Sequence, residues 1–322
     1  MNPTPSLEVR VAHKQQETAN ICSLELRALD GSALPAFAAG AHIDVHLPGG
    51  LVRQYSLCND PQEAGHYRIA VLHDAQSRGG SRALHQQVQP GDVLRISAPK
   101  NHFPLHTPAR RSLLLAGGIG VTPLLAMAET LSRNGSEFSL HYCARSAQQM
   151  AFAAQLSSSA YASRVQFHFD DAAAEQRLDL ARTLAAPAPG TQLYVCGPRG
   201  FMDAVLATAR AQGWPEAQLH WEYFGAEVAT QARDAAFQVQ LASSGQVIDV
   251  PAHQSVAQAL AAAGVALMTA CEQGVCGTCL TRVLAGTPEH RDSYLTPEER
   301  AANDQFLPCC SRAQTASLTL DI

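Results

Sequence analysis

The segment CEQGVCGTC, residues 271–279, places three cysteines close together, with four residues and then two residues between them. Thiolate sulfur is the preferred ligand of iron–sulfur clusters and of structural zinc. A structural zinc site usually presents two Cys-x2-Cys pairs, whereas this segment contains a single pair. The spacing C-x4-C-x2-C, followed by a distant fourth cysteine, is that of plant-type [2Fe–2S] clusters. The segment therefore predicts such a cluster, with a zinc loop or a chance group of thiols as the alternatives.

A fourth thiol stands near the end of the chain, in FLPCCSRA, residues 306–313. Two glycines, Gly274 and Gly277, separate the three clustered cysteines. A loop that wraps a cluster needs unusual backbone angles, and its amides must approach the cluster closely, so glycine suits both positions. The candidate ligands are Cys271, Cys276 and Cys279, with Cys309 or Cys310 as the fourth.

The length and composition indicate a folded chain of two or three domains. The 322 residues exceed one ordinary core, and 46% hydrophobic with 16% charged residues is typical of folded soluble proteins. A net charge of −5 excludes the basic footprint of a nucleic-acid binder. The sequence contains no apolar run near the ~18 residues of a membrane span, and MNPTPSLEVR lacks the regions of a secretory signal. We therefore expect a cytoplasmic protein whose clustered thiols serve metal or redox chemistry.

The pattern of apolar residues changes twice along the chain. In the first hundred residues, SLEVRVAHKQQ, ICSLELRAL, AHIDVHLP and YRIAVLH are short alternating runs separated by turn formers, which favour a small antiparallel barrel. In the middle, RRSLLLAGGIGVTPLLAMAETLSRNG, EFSLHYCARS and TQLYVCGPRGFMDAVLATARAQG each begin as a strand, and the strand-then-helix pattern predicts a parallel sheet with crossover helices. After a polar, Ala-rich linker, AFQVQLASSGQVIDVP predicts a hairpin. SVAQALAAAG predicts a helix with Ser255 as N-cap and Gly264 as C′ residue.

Two segments of the first region are suited to an anion and a flat ring. In RQYSLCND, residues 53–60, Arg53 and Tyr55 alternate on a strand, where an arginine fork suits phosphate and an aromatic ring packs on a heterocycle. In DAQSRGGSRALH, residues 74–85, two glycines and a serine stand at a predicted helix start, which is a natural anion site. An exposed edge strand and an ordinary Gly-rich connection are the plain alternatives.

The middle region carries two turns of the kind that dinucleotides approach. AGGIGVTP, residues 116–123, lacks the third glycine of the Rossmann fingerprint but follows an apolar strand and precedes a helix. Thr122 is expected to cap that helix, and Pro123 fits its first turn. A second strand ends in YVCGPRG, where Cys196 is either a site residue or a buried structural cysteine.

The segment from residue 236 to residue 322 resembles the plant-type [2Fe–2S] ferredoxins of β-grasp fold. Those proteins place their last ligand in a segment like LxCxSR, and LPCCSRA matches it with Cys309 as the ligand. The rest of the chain resembles the ferredoxin–NADP reductase superfamily, in which Arg-x-Tyr-Ser holds a flavin. That resemblance makes Arg53 the flavin-phosphate ligand and places Tyr55 and Ser56 beside the isoalloxazine, with Ser56 near N5. Leu57 is a further implied cofactor contact.

The same resemblance implies roles for residues elsewhere in the chain. In similar reductases, the residue matching Cys196 lies near the nicotinamide, the one matching Thr122 contacts the nicotinamide side, and the one matching Phe224 of WEYFGAE covers the flavin face. Core packing is the alternative role of Phe224. Ser56, Cys196 and Phe224 are thereby the candidate catalytic residues. YCARS, residues 142–146, matches a segment at the adenosine ribose, although many relatives have glycine in place of Ala144. The remaining implied cofactor contacts are Gly79, Gly80, Ser81, Gly118, Gly120, Pro123, Arg145, Ser146, Gly197 and Pro198.

The order of the domains resembles the family of phthalate dioxygenase reductase and the vanillate demethylase reductase component. The expected domains are a flavin barrel at 1–105, a nucleotide domain at 106–227, a linker at 228–235 and a ferredoxin domain at 236–322. The resemblance implies an enzyme that binds FMN, a [2Fe–2S] cluster and NADH and passes electrons to a Rieske-type oxygenase. FAD is the alternative flavin, and Arg145 keeps NADPH as the alternative donor. The alternative is a stand-alone electron-transfer protein serving another acceptor, such as a cytochrome P450.

Overall fold

The computed structural model describes most of the chain in two compact units, Met1–Phe224 and Gly225–Ile322. In the part that it describes, no helix is long and apolar enough to cross a membrane. The residues described are 6–47, 51–63, 65–74, 79–106, 109–185, 188–224, 234–269, 272, 274–275 and 277–322.

An antiparallel barrel begins the first unit. Its strand order is β4-β3-β6-β1-β2-β5, and β7 pairs with β3. A bridge between Leu57 and Ile69 joins the end of β4 to β5 and closes the sheet. Register shifts between Val11 and His13 and between Gln16 and Thr18 mark irregularities along β1, where a long strand can bend around the barrel. The strands are β1 Ser6–Thr18, β2 Ile21–Ala28, β3 Ala41–His46, β4 Val52–Ser56, β5 Tyr67–Leu72, β6 Val93–Ser97 and β7 Lys100–Asn101, with helix α1 Gly80–Gln86 after β5.

A five-stranded parallel sheet follows in the order β10-β9-β8-β11-β12. Its strands are β8 Arg111–Gly117, β9 Glu137–Ala144, β10 Val165–Phe169, β11 Thr191–Cys196 and β12 Leu219–Glu222. The helices between them are α2 Val121–Arg133, α3 Ala153–Ser158, α4 Leu180–Thr183 and α5 Arg199–Ala211. Alternate residues of one strand serve opposite layers, since Leu114 packs in the core with α2 whereas Leu113 packs in the core with α5. The expected antiparallel barrel and parallel sheet are both confirmed.

The predicted boundary at residue 105 falls between β7 and β8, within the first unit, and stays a prediction. A partly buried polar cluster joins the barrel to the parallel-sheet part of the first unit. The Arg68 guanidinium, from β5, donates to Glu17 Oε1 at 2.8 Å and to Gln155 Oε1 of α3 at 2.9 Å, and it lies 4.7 Å from the centre of the Phe152 ring. The Glu17 side chain is only 7% exposed, and it also accepts a hydrogen bond from Ser23.

The second unit is a mixed sheet with two short helices. Its main sheet has the order β14-β13-β19-β15-β17, in which β13 and β19 are parallel, and β16 pairs with β18. The strands are β13 Phe237–Leu241, β14 Val247–Val250, β15 Thr281–Ala285, β16 Pro288–Glu289, β17 Gln305–Phe306, β18 Arg312–Ala313 and β19 Ser317–Leu320; the helices are α6 Val256–Ala262 and α7 Pro297–Ala302. Ser255 caps α6 in a capping box with Gln258, as expected, and Gly264 follows its end with φ +76°. This α+β arrangement agrees with the expected β-grasp fold. Most of the expected linker, 228–233, lies outside the described residues.

The Arg68 cluster generates a stability prediction. Arg68→Ala leaves the Glu17 carboxylate buried with a single hydrogen bond, so we expect a loss of about 2–3 kcal/mol of unfolding free energy. Arg27→Ala is the matched control: its partner is Glu25, its own side chain is 56% exposed, and the expected loss is below about 1 kcal/mol. Urea unfolding followed by tryptophan fluorescence measures both, and equal losses would contradict the prediction.

Candidate functional site

Two turns of the parallel sheet cross each other with almost no space between their backbones. A Cβ atom on Gly120 would lie 2.3 Å from the Cys196 carbonyl oxygen, and one on Gly197 would lie 2.9 Å from the Gly117 Cα. Pro198 stands at the same crossing, since a Cβ atom on Gly117 would lie 2.9 Å from its Cδ. The crossing thus brings together the two motifs that the sequence separates by about eighty residues, AGGIGVTP and YVCGPRG.

The glycine turn differs from the expectation in one respect. Residues 118–120 form a short 3-10 turn, and α2 begins at Val121, so Thr122 lies inside the helix and does not cap it. The Thr122 hydroxyl donates instead to the Ile119 carbonyl at 3.0 Å, and the residue is 2% exposed. The expected capping by Thr122 was wrong, whereas its contact with a nicotinamide stays a prediction. Pro123 lies in the first turn, as expected.

Gly118 is the most open position of this turn. Its φ is +52°, and a Cβ atom there would meet none of the described atoms within 4 Å. Unlike Gly117 and Gly120, this glycine is not required by packing within the described part of the chain. A dinucleotide backbone could therefore approach the turn at Gly118.

Ser56, Cys196 and Glu222 meet where the barrel adjoins the parallel sheet. Cys196 and Glu222 are register partners on β11 and β12. The Ser56 hydroxyl, at the end of β4, donates a hydrogen bond to the Glu222 carboxylate. Ser56 and Cys196 are both buried, at 6% and 0% exposed. The structure thus brings together two of the three expected catalytic residues and adds Glu222.

Burial keeps this group of side chains uncharged. Burial raises the pKa of Glu222 to about 8, and the hydrogen bond from Ser56 opposes that rise. The carboxylate Oε2 is closed to solvent and has no hydrogen-bond partner among the described residues. Burial also raises the pKa of the Cys196 thiol well above its usual value, with a smaller contribution from Glu222. At neutral pH the thiol and most of the carboxyl groups are therefore protonated.

Glu222 was missed by the sequence analysis. It stands in WEYFGAE beside Phe224, which the resemblance did single out, but an acidic residue at a strand end carries no motif of its own. The register of β12 against Cys196 could have indicated it, because strand partners share a face. Phe224 follows two residues later and is 39% exposed.

The expected phosphate-binding residues also converge. A Cβ atom on Gly80 would lie 2.6 Å from the Arg53 Cγ, so the arginine stem crosses directly over the start of α1. Gly79 precedes this helix with φ +102°, and the Ser81 hydroxyl accepts a hydrogen bond from the Asp74 amide. An arginine side chain beside a glycine and a serine hydroxyl at a helix start fits a phosphate group.

The other expected flavin contacts are more deeply placed. The Tyr55 ring packs against the barrel core, and burial raises the pKa of its phenol, which stays protonated. Leu57 is fully buried in the same core, and its amide donates to the Ala41 carbonyl. A flavin contact of Leu57 would therefore involve its backbone.

The expected ribose-binding residues lie at the carboxyl end of β9. Arg145 and Ser146 follow Ala144, and the amides of Asp170 and Asp171 donate to the carbonyls of Ala144 and Arg145. In the open parallel sheet, this is the edge at which ligands bind. Two acidic residues thus accompany Arg145 there.

The second unit brings the C-terminal cysteines together. Cys279, Cys309 and Cys310 are at most 4% exposed and share one buried cluster with Leu295 and Leu307. The expected ligands Cys271 and Cys276 lie outside the described residues. Gly274 and Gly277 have φ values of +74° and +70°, the unusual backbone that the loop was expected to need. Buried thiols beside such a loop fit a thiolate-ligated cluster.

Comparison with known proteins agrees with this division of the chain. Residues 8–104 match the family model described as an oxidoreductase FAD-binding domain, and 239–314 match the 2Fe-2S iron-sulfur cluster binding domain. Residues 97–219 match the N-terminal domain of the dimethylamine monooxygenase subunit DmmA-like family.

Three similar proteins cover nearly the whole chain. The chain is 56% identical to the vanillate O-demethylase oxidoreductase of Pseudomonas putida, over 98% of this chain and 100% of that protein. It resembles the solved structure of phthalate dioxygenase reductase with a TM-score of 0.80 and 37% identity, covering 98% of both chains. It also matches an intact type IV self-sufficient cytochrome P450 monooxygenase with a TM-score of 0.80 and 40% identity, covering 98% of this chain and 41% of that one.

The buried carboxyl group generates a pH prediction. A folded-state pKa of about 8, against an ordinary value of 4.5, means that Glu222 stabilises the fold below pH 4.5 and loses that contribution as the pH rises to 8. In Glu222→Gln this loss is absent, so between pH 5 and 8 the variant gains stability relative to the parent by up to about 1.4 kcal/mol per pH unit. Unfolding free energies from urea titrations at several pH values measure the difference.

Glu216→Gln is the control for that experiment. Glu216 is an exposed carboxylate paired with Arg210, whose hydrogen bond lowers the pKa of Glu216. Its substitution should therefore change the stability by a constant amount between pH 5 and 8. A Glu222→Gln difference that is equally flat would show that Glu222 is ionised throughout that range.

Proposed function

Because the chain belongs to the family of the vanillate O-demethylase oxidoreductases and phthalate dioxygenase reductases, we propose that it carries electrons from NADH through FMN and a [2Fe–2S] cluster to a Rieske-type oxygenase. As a member of that family, it is the reductase component of an oxygenase system, with a flavin domain and a [2Fe–2S] domain. One observation carries the proposal: the same polypeptide holds the Ser56–Cys196–Glu222 group in one unit and buried cysteines in the other.

When bound, a flavin can accept a hydride from a reduced nicotinamide and release its electrons singly, which an iron–sulfur cluster requires. The residues of the first unit would position the flavin and the nicotinamide and surround them with uncharged side chains. The glycine crossing holds Cys196 at the end of β11, and Ser56 reaches the same place from the barrel. With the Cys196 thiol and most of Glu222 protonated, these side chains would place little negative charge at the site when a flavin and a nicotinamide are bound.

FMN is proposed by analogy with similar reductases. The Arg53 side chain crosses Gly80 at the start of α1, beside Ser81, and this arrangement fits a flavin phosphate. The matched family model describes an FAD-binding domain, so the choice between the two flavins belongs to this proposal.

NADH is proposed from the charges at the expected ribose site. The amides of Asp170 and Asp171 donate to the carbonyls of Ala144 and Arg145, so two acidic residues and Arg145 lie at the same edge of the sheet. An acidic residue at this edge suits the free 2′-hydroxyl of NADH and repels the 2′-phosphate of NADPH.

The relatives support an oxygenase as the electron acceptor. The Pseudomonas putida relative is named a vanillate O-demethylase oxidoreductase. We propose by analogy that the acceptor of this chain is an oxygenase that demethylates an aromatic ether. The match to 41% of a self-sufficient P450 favours one alternative, in which the acceptor is a cytochrome P450. We also propose a cytoplasmic location, because a reducing environment keeps clustered thiols free of disulfides.

Purified protein tests the donor, the flavin and the acceptor together. Chromatography of the released flavin should give FMN, and kcat/KM should be at least about tenfold higher with NADH than with NADPH, equivalent to about 1.4 kcal/mol. With NADH, the protein should support turnover by the terminal oxygenase of a vanillate O-demethylase and not turnover by a P450. FAD, a preference for NADPH or transfer to the P450 alone would contradict the corresponding part of the proposal.

The choice of the fourth ligand generates a separate prediction. Cys309→Ser should remove most of the bound iron and abolish NADH-dependent reduction of cytochrome c, because single electrons then have no cluster to pass through. Reduction of ferricyanide, which the flavin can perform directly, should remain. Iron and sulfide assays with the visible spectrum measure the cluster.

Cys310→Ser is the matched control, since its thiol is equally buried and contacts the Leu307 carbonyl at 3.7 Å. This variant should keep its iron and its cytochrome c activity. The reverse result, with iron lost from the Cys310 variant and kept in the Cys309 variant, would make Cys310 the ligand.

A further inference from the structure

A buried carboxylate lies between the two parts of the chain that supply the expected cluster ligands. The Asp292 side chain is 0% exposed. Its Oδ2 accepts hydrogen bonds from the amides of Tyr294 and Leu295 at 3.1 and 2.8 Å, which fold residues 292–295 into a tight turn. The Arg300 guanidinium lies 3.6 Å from the same oxygen and donates to the Asp292 carbonyl at 2.5 Å.

This turn packs directly on the three-cysteine loop. A Cβ atom on Gly274 would lie 3.0 Å from the Asp292 Cα and 2.4 Å from the Cys310 sulfur. The Ser293 amide donates to the Gly274 carbonyl at 2.9 Å. Gly277 lies against the Tyr294 ring, where a Cβ atom would come within 2.3 Å of the ring carbon Cζ. Both glycines of the loop are therefore positioned by the residues that Asp292 organises.

The other oxygen of the carboxylate points to the segment of the fourth ligand. Ser311, two residues after Cys309, is fully buried, and its hydroxyl donates to Asp292 Oδ1 at 3.5 Å. The same hydroxyl accepts a hydrogen bond from the Arg291 amide at 3.1 Å. Asp292 thus contacts the loop of the first three cysteines through its turn and the Cys309 segment through Ser311.

We propose that Asp292 is a positioning residue of the iron–sulfur centre, which fixes the cysteine loop and the Cys309 segment to each other and lowers the reduction potential of the cluster. The inference rests on the ligand set proposed above. Groups that orient metal ligands and fixed charges near a cluster set its potential. A negative charge held out of water beside the loop disfavours the addition of an electron to the cluster.

Asp292→Asn removes the negative charge of the side chain and keeps its size and shape. The amide keeps an acceptor for the Tyr294 and Leu295 amides, so the variant should retain its iron and flavin. Loss of the charge should shift the midpoint potential of the cluster to a more positive value. The measurement is an anaerobic redox titration of the full-length protein, followed by electron paramagnetic resonance of the reduced cluster.

Asp292→Ala removes the acceptor as well, and it should lose most of its iron while the flavin content stays at that of the parent. Glu289→Gln is the control, because Glu289 is a neighbouring carboxylate that pairs with Arg291 at 2.9 Å. It should keep the parent potential. If the alanine variant does not fold, the potential of the asparagine variant decides alone.

An Asp292→Asn potential equal to that of the parent and of Glu289→Gln would overturn the inference, as would full iron content and an unchanged potential in Asp292→Ala. The ligand assignment fails differently, through a Cys309→Ser variant that keeps an unaltered cluster. Loss of the cluster from Cys309→Ser, together with unchanged potentials in both Asp292 variants, rejects the role of Asp292 alone.

Discussion

The close crossing of two backbones at Gly120 and Cys196 is the constraint on which the first unit depends. With a Cβ atom 2.3 Å from a carbonyl oxygen, no residue larger than glycine fits at position 120 unless the turns move apart. The crossing fixes the end of β11 and thereby Cys196. Through the strand register it also fixes Glu222, and the hydrogen bond from Ser56 then attaches the barrel to the same point. One steric requirement thus aligns side chains from three strands.

The group formed by Ser56, Cys196 and Glu222 is unusual because its side chains are polar and yet buried. The Glu222 Oε2 is closed to solvent and has no hydrogen-bond partner among the described residues, so ionising this carboxyl group would cost desolvation free energy. That cost raises the pKa of Glu222 to about 8, and the group is therefore mostly neutral at physiological pH. Perturbed groups of this kind concentrate at functional sites, which agrees with a position at the junction of a flavin-type barrel and a nucleotide-type sheet.

Local patterns made most of the fold and much of the site predictable from the sequence. The alternating runs, the glycine turns and the cysteine spacing each depend on neighbours in the chain, and the structure places Arg53 beside Gly80 and Cys279 beside Cys309. Glu222 was not predictable, because its importance depends on a partner in the barrel, far away in sequence. The prediction that Thr122 caps α2 was wrong for a local reason. A 3-10 turn occupies residues 118–120, so α2 already begins at Val121 and Thr122 lies inside the helix.

In the second unit, the neighbouring residues Arg291 and Asp292 hold two different segments of the chain in place. Arg291 holds Asp234, at the end of the expected linker, through two hydrogen bonds of 2.5 and 3.1 Å, and the Asp234 side chain is 2% exposed. The next residue, Asp292, organises the turn that supports the cysteine loop. Because neighbouring residues share one backbone, the point at which the linker joins this unit is fixed to the support of the cluster.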